Sequence, residues 1–395
     1  MTLSINRVLG LLAGILLPTF SPTSWATVTF TLATGIQTVT VPLSPPVISA
    51  GVDAPVGTVL YRAMLRMKDG YADVKWPASD VGKYLYTSIS ANLKTTPQPL
   101  ANLPVGPYAD GVYQTGIPGI GVAIFLSDTS TNPVTTAPRR GENQTLLDSS
   151  LGVRDMLIGT DKNFAVALIK TGPLTPGNYS ISGANFPTMQ YGLDYSGISQ
   201  PNAAAISGLP IYYWNVSFQG NITVSAQTCT TPDVSVNLGT YEIGEHFRAL
   251  NSTTPWKDAS IALTNCPKFY GFYNLSNAPL LMDYNTGKST STTSLNNTIG
   301  VRLAPANGVI DAANGVMAID ATVSGAASGV GIQLGWGLSS QTPTPFNFST
   351  EQAMTLPKDG STTIQVPLAA RYIQTAAKPT PGRANGKVTF TINYY

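Results

Sequence analysis

The chain has 395 residues, a formal net charge of +2 and only 11% charged residues, with 37 Gly and 30 Pro. So many turn-formers exclude a long-helix or coiled-coil protein, and 43% hydrophobic with 9% aromatic residues excludes a disordered one. The near-neutral charge gives no footprint for nucleic acid, and a single histidine leaves little room for acid–base chemistry.

In chain order, residues 1–26 come first. Arg7, the apolar run VLGLLAGILL at 8–17, and Ser24-Trp25-Ala26 have the layout of a secretory leader cleaved before Thr27. The apolar run is too short for a bilayer, which needs about 20 residues. The mature chain is therefore expected to be exported.

From residue 27 onward the sequence reads as strands joined by turns. Polar and apolar residues alternate, or short apolar runs occur, at 27–32, 59–67, 121–126, 163–170, 178–181 and 211–218. In the second half the same signals fall at 234–238, 260–263, 330–334, 362–368 and 387–394. Breakers such as Pro45-Pro46, GPLTPG at 172–177 and Pro379 to Gly382 separate them. This predicts an all-β chain of antiparallel sandwiches. At roughly 150 residues per domain, the length suggests two domains. The boundary is placed at Gln219-Gly220, giving domains 27–219 and 220–395. Cys229 and Cys266 both lie in the second. In an exported chain without a CxxC motif, two cysteines read as one disulfide and not as a metal site.

The C-terminal third carries a recognisable pattern. Counting back from Tyr395 as one, Tyr394 is a penultimate aromatic and Gly382 stands fourteenth, within a closing stretch that ends FTINYY. Thr228-Cys229, the run IALTNC at 261–266 and VGIQL at 330–334 precede it in order. From Gly220 onward the chain resembles the subunits of chaperone–usher pili. The resemblance implies an incomplete immunoglobulin-like sandwich that lacks its last strand. A periplasmic chaperone first fills the gap; in the fibre, the neighbouring subunit's donor strand replaces it, which is β-strand addition. An outer-membrane usher is the further partner implied. Gly382, Val388, Phe390, Ile392, Tyr394 and Tyr395 are then the assembly residues, with Val388, Phe390, Ile392 and Tyr394 expected on one face of the final strand.

About 200 residues precede Cys229 where ordinary subunits carry a short donor strand. A whole domain in that place cannot plug a neighbour, so the resemblance implies a two-domain tip adhesin at the distal end of the pilus. IKTGPLTPG at 169–177 and Gly208-Leu209-Pro210 resemble segments of adhesin lectin domains. A sugar site needs planar groups for C–H faces and fixed polar groups for hydroxyls. Two segments offer these: residues 71–86, with Tyr71, Asp73, Trp76, Asp80, Tyr84 and Tyr86, and residues 190–195, with Gln190, Tyr191, Asp194 and Tyr195. Any of these aromatics can equally be a strand residue packed in the sandwich. The expected ligand is a host or environmental glycan; a protein or abiotic surface, or a capping role without ligand, are the alternatives. No GxSxG occurs, the one histidine (His246) lies in the assembly half, and no phosphate-binding loop precedes a helix. The chain therefore reads as a non-enzyme without cofactor or metal, displayed at the surface of a Gram-negative cell.

Overall fold

In a computed structural model, the structure describes residues 27–43, 45–103, 110–126, 130–147, 154–160, 163–198 and 200–395. The expected leader, 1–26, lies outside them. The protein is all-β, with only short helical turns such as Ile243–His246 among the described residues.

Three sheets enclose the first core. One runs in the order Arg154–Thr160, Gly70–Trp76, Val28–Leu32, Ile206–Ser207. A second runs Asn178–Ser182, Ile211–Ser225, Thr188–Tyr195, Tyr84–Thr95, Arg139–Leu147, with Gln37–Leu43 and Ile48–Ser49 lying parallel beside Ile211–Ser225. The third contains Val59–Arg66, Asn163–Lys170, Ile120–Phe125 and Tyr113–Gln114. Its outer strands, Leu280–Asp283 and Lys288–Thr290, come from the second half of the chain.

The second core, which includes Leu263, Ile299, Val301, Phe346, Val366 and Tyr394, lies between smaller sheets. The last strand, Val388–Tyr394, pairs antiparallel with Thr298–Pro305, which pairs in turn with Gln352–Thr355. Cys229 and Cys266 form the expected disulfide.

Most strands legible in the sequence are present within a residue or two. Two expectations differ. Residues 234–238 join no ladder among the described residues: from Thr230 to Gly239 the sole pairing is Thr230 with Thr264. The placement of a boundary at 219–220 also differs from what is seen. Ile211–Ser225 is one strand through that point, and core membership changes between Ala226 and Cys229. Tyr273, with Leu281 and Tyr284 partly buried, packs on the first core although it lies in the second half.

Candidate functional site

Among the described residues, the last strand pairs with a neighbouring strand along one edge only. Thr298 and Tyr395 exchange two hydrogen bonds, N–H to C=O in each direction, and the register continues without a break to Pro305 and Val388. In an antiparallel ladder the hydrogen-bonding residues alternate with those whose backbone groups point outward. Thr389, Thr391 and Asn393 therefore pair inward, while Val388, Phe390, Ile392 and Tyr394 direct their N–H and C=O groups away from the sheet. The same four turn their side chains toward the second core, and three of them stay only half-buried. Such an edge, with open backbone groups above incompletely covered apolar side chains, can pair with a further strand. A depression of about 220 Å³ lies there, lined by Phe390, Ile392 and Tyr394 on one side and Thr228, Cys229 and Thr231 on the other.

Tyr394 closes one end of this groove. Its hydroxyl oxygen accepts from the Cys229 amide at 3.1 Å, and its ring stacks on Phe269 at 6.3 Å between centroids. Burial, opposed by that hydrogen bond, raises the phenol above its ordinary range. Its backbone meets Asp53 of the first domain: Tyr394 N–H donates to Asp53 Oδ2 at 2.9 Å, and Asp53 N–H donates to Tyr394 C=O at 3.0 Å. The loop carrying Asp53 is held from below by Lys170, whose Nζ donates to the Val52 carbonyl. Burial lowers the Lys170 ammonium pKa, and the Asp53 charge opposes that shift. Gly51 admits no larger residue, since a Cβ would stand 2.5 Å from Tyr394 C=O and from Tyr395. The sequence reading missed Asp53, Gly51 and Lys170; nothing in their local pattern marks a contact with the chain's last strand.

Gly382 lies away from the open edge, against the turn at 325–327, where a Cβ would meet the Ala327 nitrogen and the Gly325 carbonyl at 2.5 Å. Its place in the fold accounts for a glycine through close backbone approach. Tyr395 lies beside Thr298, next to the carboxylate of Glu351. That carboxylate also accepts from Asn393 Nδ2 at 2.7 Å and Arg302 Nε at 3.0 Å. Burial alone would raise its pKa, but these hydrogen bonds hold it below the ordinary carboxylate value.

The aromatic and acidic residues expected to bind ligand do not form one site. On Gly70–Trp76 the two-residue alternation turns Ala72, Val74 and Trp76 inward and Tyr71, Asp73 and Lys75 outward. Trp76 is fully buried, its Nε1 donating to the Asp80 carbonyl at 2.8 Å. Asp80 is buried too and accepts from Lys83 Nζ at 2.6 Å. The expectation of a stacking face at Trp76 is therefore corrected: these two brace the turn at the end of the strand. Tyr191 is likewise a core residue, edge-on to Phe164 at 4.9 Å. Tyr71 and Asp73 lie on the solvent face of their sheet, where Asp73 sits between Leu157, 63% exposed, and Thr31.

A second cluster is better assembled, with Ser88, Ser90 and Asp194 buried at its centre. Along Tyr84–Thr95, the residues Leu85, Thr87, Ile89 and Ala91 point to the core, so Tyr84, Tyr86, Ser88 and Ser90 share the opposite face. Asp194 is directly opposite Ser88, and Gly192 opposite both Ser90 and Tyr212. Tyr84 and Tyr86, 6.0 Å apart, thus lie on one face with Asp194 and Tyr212. Burial first, and then the Asp194 charge, raise the Tyr212 phenol pKa. Tyr195, opposite Thr87, projects to the other face, though at its open end, where it is 37% exposed. Tyr86 belongs to the expected 71–86 segment, whereas Tyr212 was not among the named candidates; the alternation of 211–218 could have shown Tyr212 facing away from Ile211 and Tyr213. This face lies at the end of the first domain remote from the Ser225–Ser49 junction, about 40 Å away at 3.3 Å per strand residue.

Comparison with known proteins bears on the second half directly. Residues 216–395 match the family model for fimbrial protein. No curated protein matches the chain. Among solved structures, the CupB6 tip adhesin of Pseudomonas aeruginosa aligns over 93% of this chain and 94% of its own, with 17% identity and a TM-score of 0.30. The receptor-binding domain of the adhesin MrkD1P of Klebsiella pneumoniae aligns over 51% of this chain and 98% of its own, with 18% identity and a TM-score of 0.27. The antigen and type I fimbria protein BPSL1626 of Burkholderia pseudomallei aligns over 42% of this chain and 89% of its own, with 26% identity and a TM-score of 0.25. These superpositions are loose, and the assignment rests on the family model together with the open edge. From residue 216 onward, this chain is similar to the fimbrial protein family.

Proposed function

We propose that the protein is the tip adhesin of a chaperone–usher fimbria. Its second domain joins the fibre by accepting a donated strand, and its first domain binds a surface receptor. The observation that carries the reading is the last strand, where Val388, Phe390 and Ile392 combine outward backbone groups with half-buried apolar side chains. An extended segment with apolar residues at alternate positions would satisfy both. A periplasmic chaperone, the usher and the adjacent subunit are the partners this assembly route requires. The first domain occupies the place of a donor segment, which supports a terminal position.

The receptor proposed is a glycan, bound at the remote face formed by Tyr84, Tyr86, Asp194 and Tyr212. Two phenol rings offer planes to sugar C–H groups, and a carboxylate beside a third phenol offers a fixed acceptor and donor for hydroxyls. The protein is co-expressed with a cognate chaperone, purified as the complex and applied to a glycan array. Saturable binding to a defined glycan set, weakened by Tyr86→Ala, supports the reading. Binding only to protein or bare surfaces would replace the glycan by another receptor, and failure to capture any chaperone would remove the assembly route.

A further inference from the structure

The open edge does not run the full length of the last strand. Asp53 supplies Tyr394 with an acceptor and a donor, the two groups that a paired strand residue would supply. The acceptor is a side-chain carboxylate and not a carbonyl, so the first domain mimics one residue of a neighbouring strand. The loop is fixed in this position. Lys170 Nζ holds the Val52 carbonyl, Ala54 N–H donates to the Gly51 carbonyl at 3.3 Å, and Gly51 is wedged against the backbone of Tyr394 and Tyr395. Upstream, Ala50 N–H donates to the Ser225 carbonyl and Ser49 N–H to the Gly271 carbonyl, each at 2.8 Å. Asp53 also forms part of the wall of the depression that holds Phe390 and Ile392.

Building on the assembly reading above, we propose that Asp53 is a register stop. A strand donated by another fimbrial subunit pairs with the last strand from Val388 to Ile392 and ends there, because the first domain already fills the position beside Tyr394. Length and register of the acceptor edge are then set by the first domain and not by the second alone. A donated segment must place its final apolar residue opposite the Phe390–Ile392 stretch; a longer one has to displace a carboxylate hydrogen bond to continue.

The test uses the full chain refolded with synthetic peptides of alternating Val and Thr, made long enough to cover Val388–Ile392. Each peptide is then lengthened by a further residue pair at one end or the other. Thermal melting of the purified complexes is the readout. The expected result is that lengthening toward Tyr394 leaves the Tm of the wild-type complex unchanged. In Asp53→Ala, which removes the carboxylate, the same lengthening raises Tm by roughly 2–4 °C. Asp53→Asn, which keeps an acceptor oxygen, behaves as wild type and controls for folding of the loop. A rise in Tm for the wild-type complex, or no rise in Asp53→Ala, overturns the register stop. If no peptide of any length binds, the strand-acceptor reading fails, and the stop with it.

Discussion

Leu280 of the second half pairs with Met64 of the first in a parallel ladder that continues through Met282 with Leu65 and Asp283 with Arg66. The hairpin Leu280–Asp283 and Lys288–Thr290 therefore completes a sheet of the first domain. Tyr284 N–H donates to the Arg66 carbonyl and Met64 N–H to the Pro279 carbonyl, each at 2.8 Å. A chain cut to residues 27–226 is expected to expose the edge of Val59–Arg66 and to self-associate. Size-exclusion chromatography against the intact chain in complex with chaperone checks this. A monomeric fragment with the melting temperature of the intact first domain would show that the hairpin adds nothing.

Trp76→Ala should lower stability by about 3–5 kcal/mol, the usual range for truncating a buried large aromatic, and so reduce adhesion only through loss of folded protein. Tyr86→Ala, on the partly exposed face, should change stability by roughly 0.5 kcal/mol or less while weakening receptor binding. Urea denaturation and adhesion measured side by side distinguish the two. Equal stability losses would remove Tyr86 from the candidate face.

Phe390→Asp places a carboxylate beneath the open edge. Capture by the chaperone and entry into fimbriae should be lost, because a donated strand would bury that charge. Receptor binding by the first domain should persist in whatever protein is recovered. Thr391→Asp, one residue along and facing solvent, should leave both intact. Pull-down with the chaperone and immunogold counts on fimbriated cells are the measurements.

Acid should loosen the edge around the last strand. Hydrogen bonds from Asn393, Tyr395 and Arg302 hold the folded Glu351 carboxyl below its ordinary value. The folded state therefore binds that proton less readily than the unfolded one. Its contribution is complete above the unfolded value, near 4.5, and is lost as pH falls through the folded one. Asp311, Asp320 and Asp359 are lowered in the same sense by turn hydrogen bonds from Asn314, Thr322 and Ser361. Melting temperature should thus fall steadily below about pH 4, less steeply in Glu351→Gln. An identical profile in that variant would assign the effect to the three aspartates.

Removing the disulfide by a double substitution, Cys229→Ser with Cys266→Ser, should destabilise the second domain by about 4 kcal/mol in the chain-entropy picture for a loop of this length. The first domain, whose described residues contain no cysteine, should melt as before. Calorimetry on the chaperone complex resolves the two transitions. A matched fall in both would show that the cores unfold as one.

The sequence was most legible where alternation was clean. In the final strand, period two alone sorted Val388, Phe390, Ile392 and Tyr394 from the threonines between them, and the structure keeps that sorting. The same rule, applied to 71–76, would have separated Tyr71 and Asp73 from Trp76; grouping them by composition instead joined residues from opposite faces of one sheet. Tyr191 and Asp194 were grouped similarly, yet one enters the core and the other faces Ser88. What local pattern could not show was contact between distant segments. Asp53 beside Tyr394, and Leu280 beside Met64, each depend on how two cores are placed, and neither residue type announces it.

The strand Ile211–Ser225 stays in the first core and ends four residues before Cys229 of the second, and the strand Leu280–Asp283 of the hairpin lies parallel to Val59–Arg66. The consequence is mechanical. Tension along the direction of these two strands would pull Leu280–Asp283 lengthwise past its neighbour. Its hydrogen bonds are then loaded in shear and share the force, where a peeled edge would surrender them one at a time. A pull from the side meets no such resistance, so the junction is strong along one axis and weak across it.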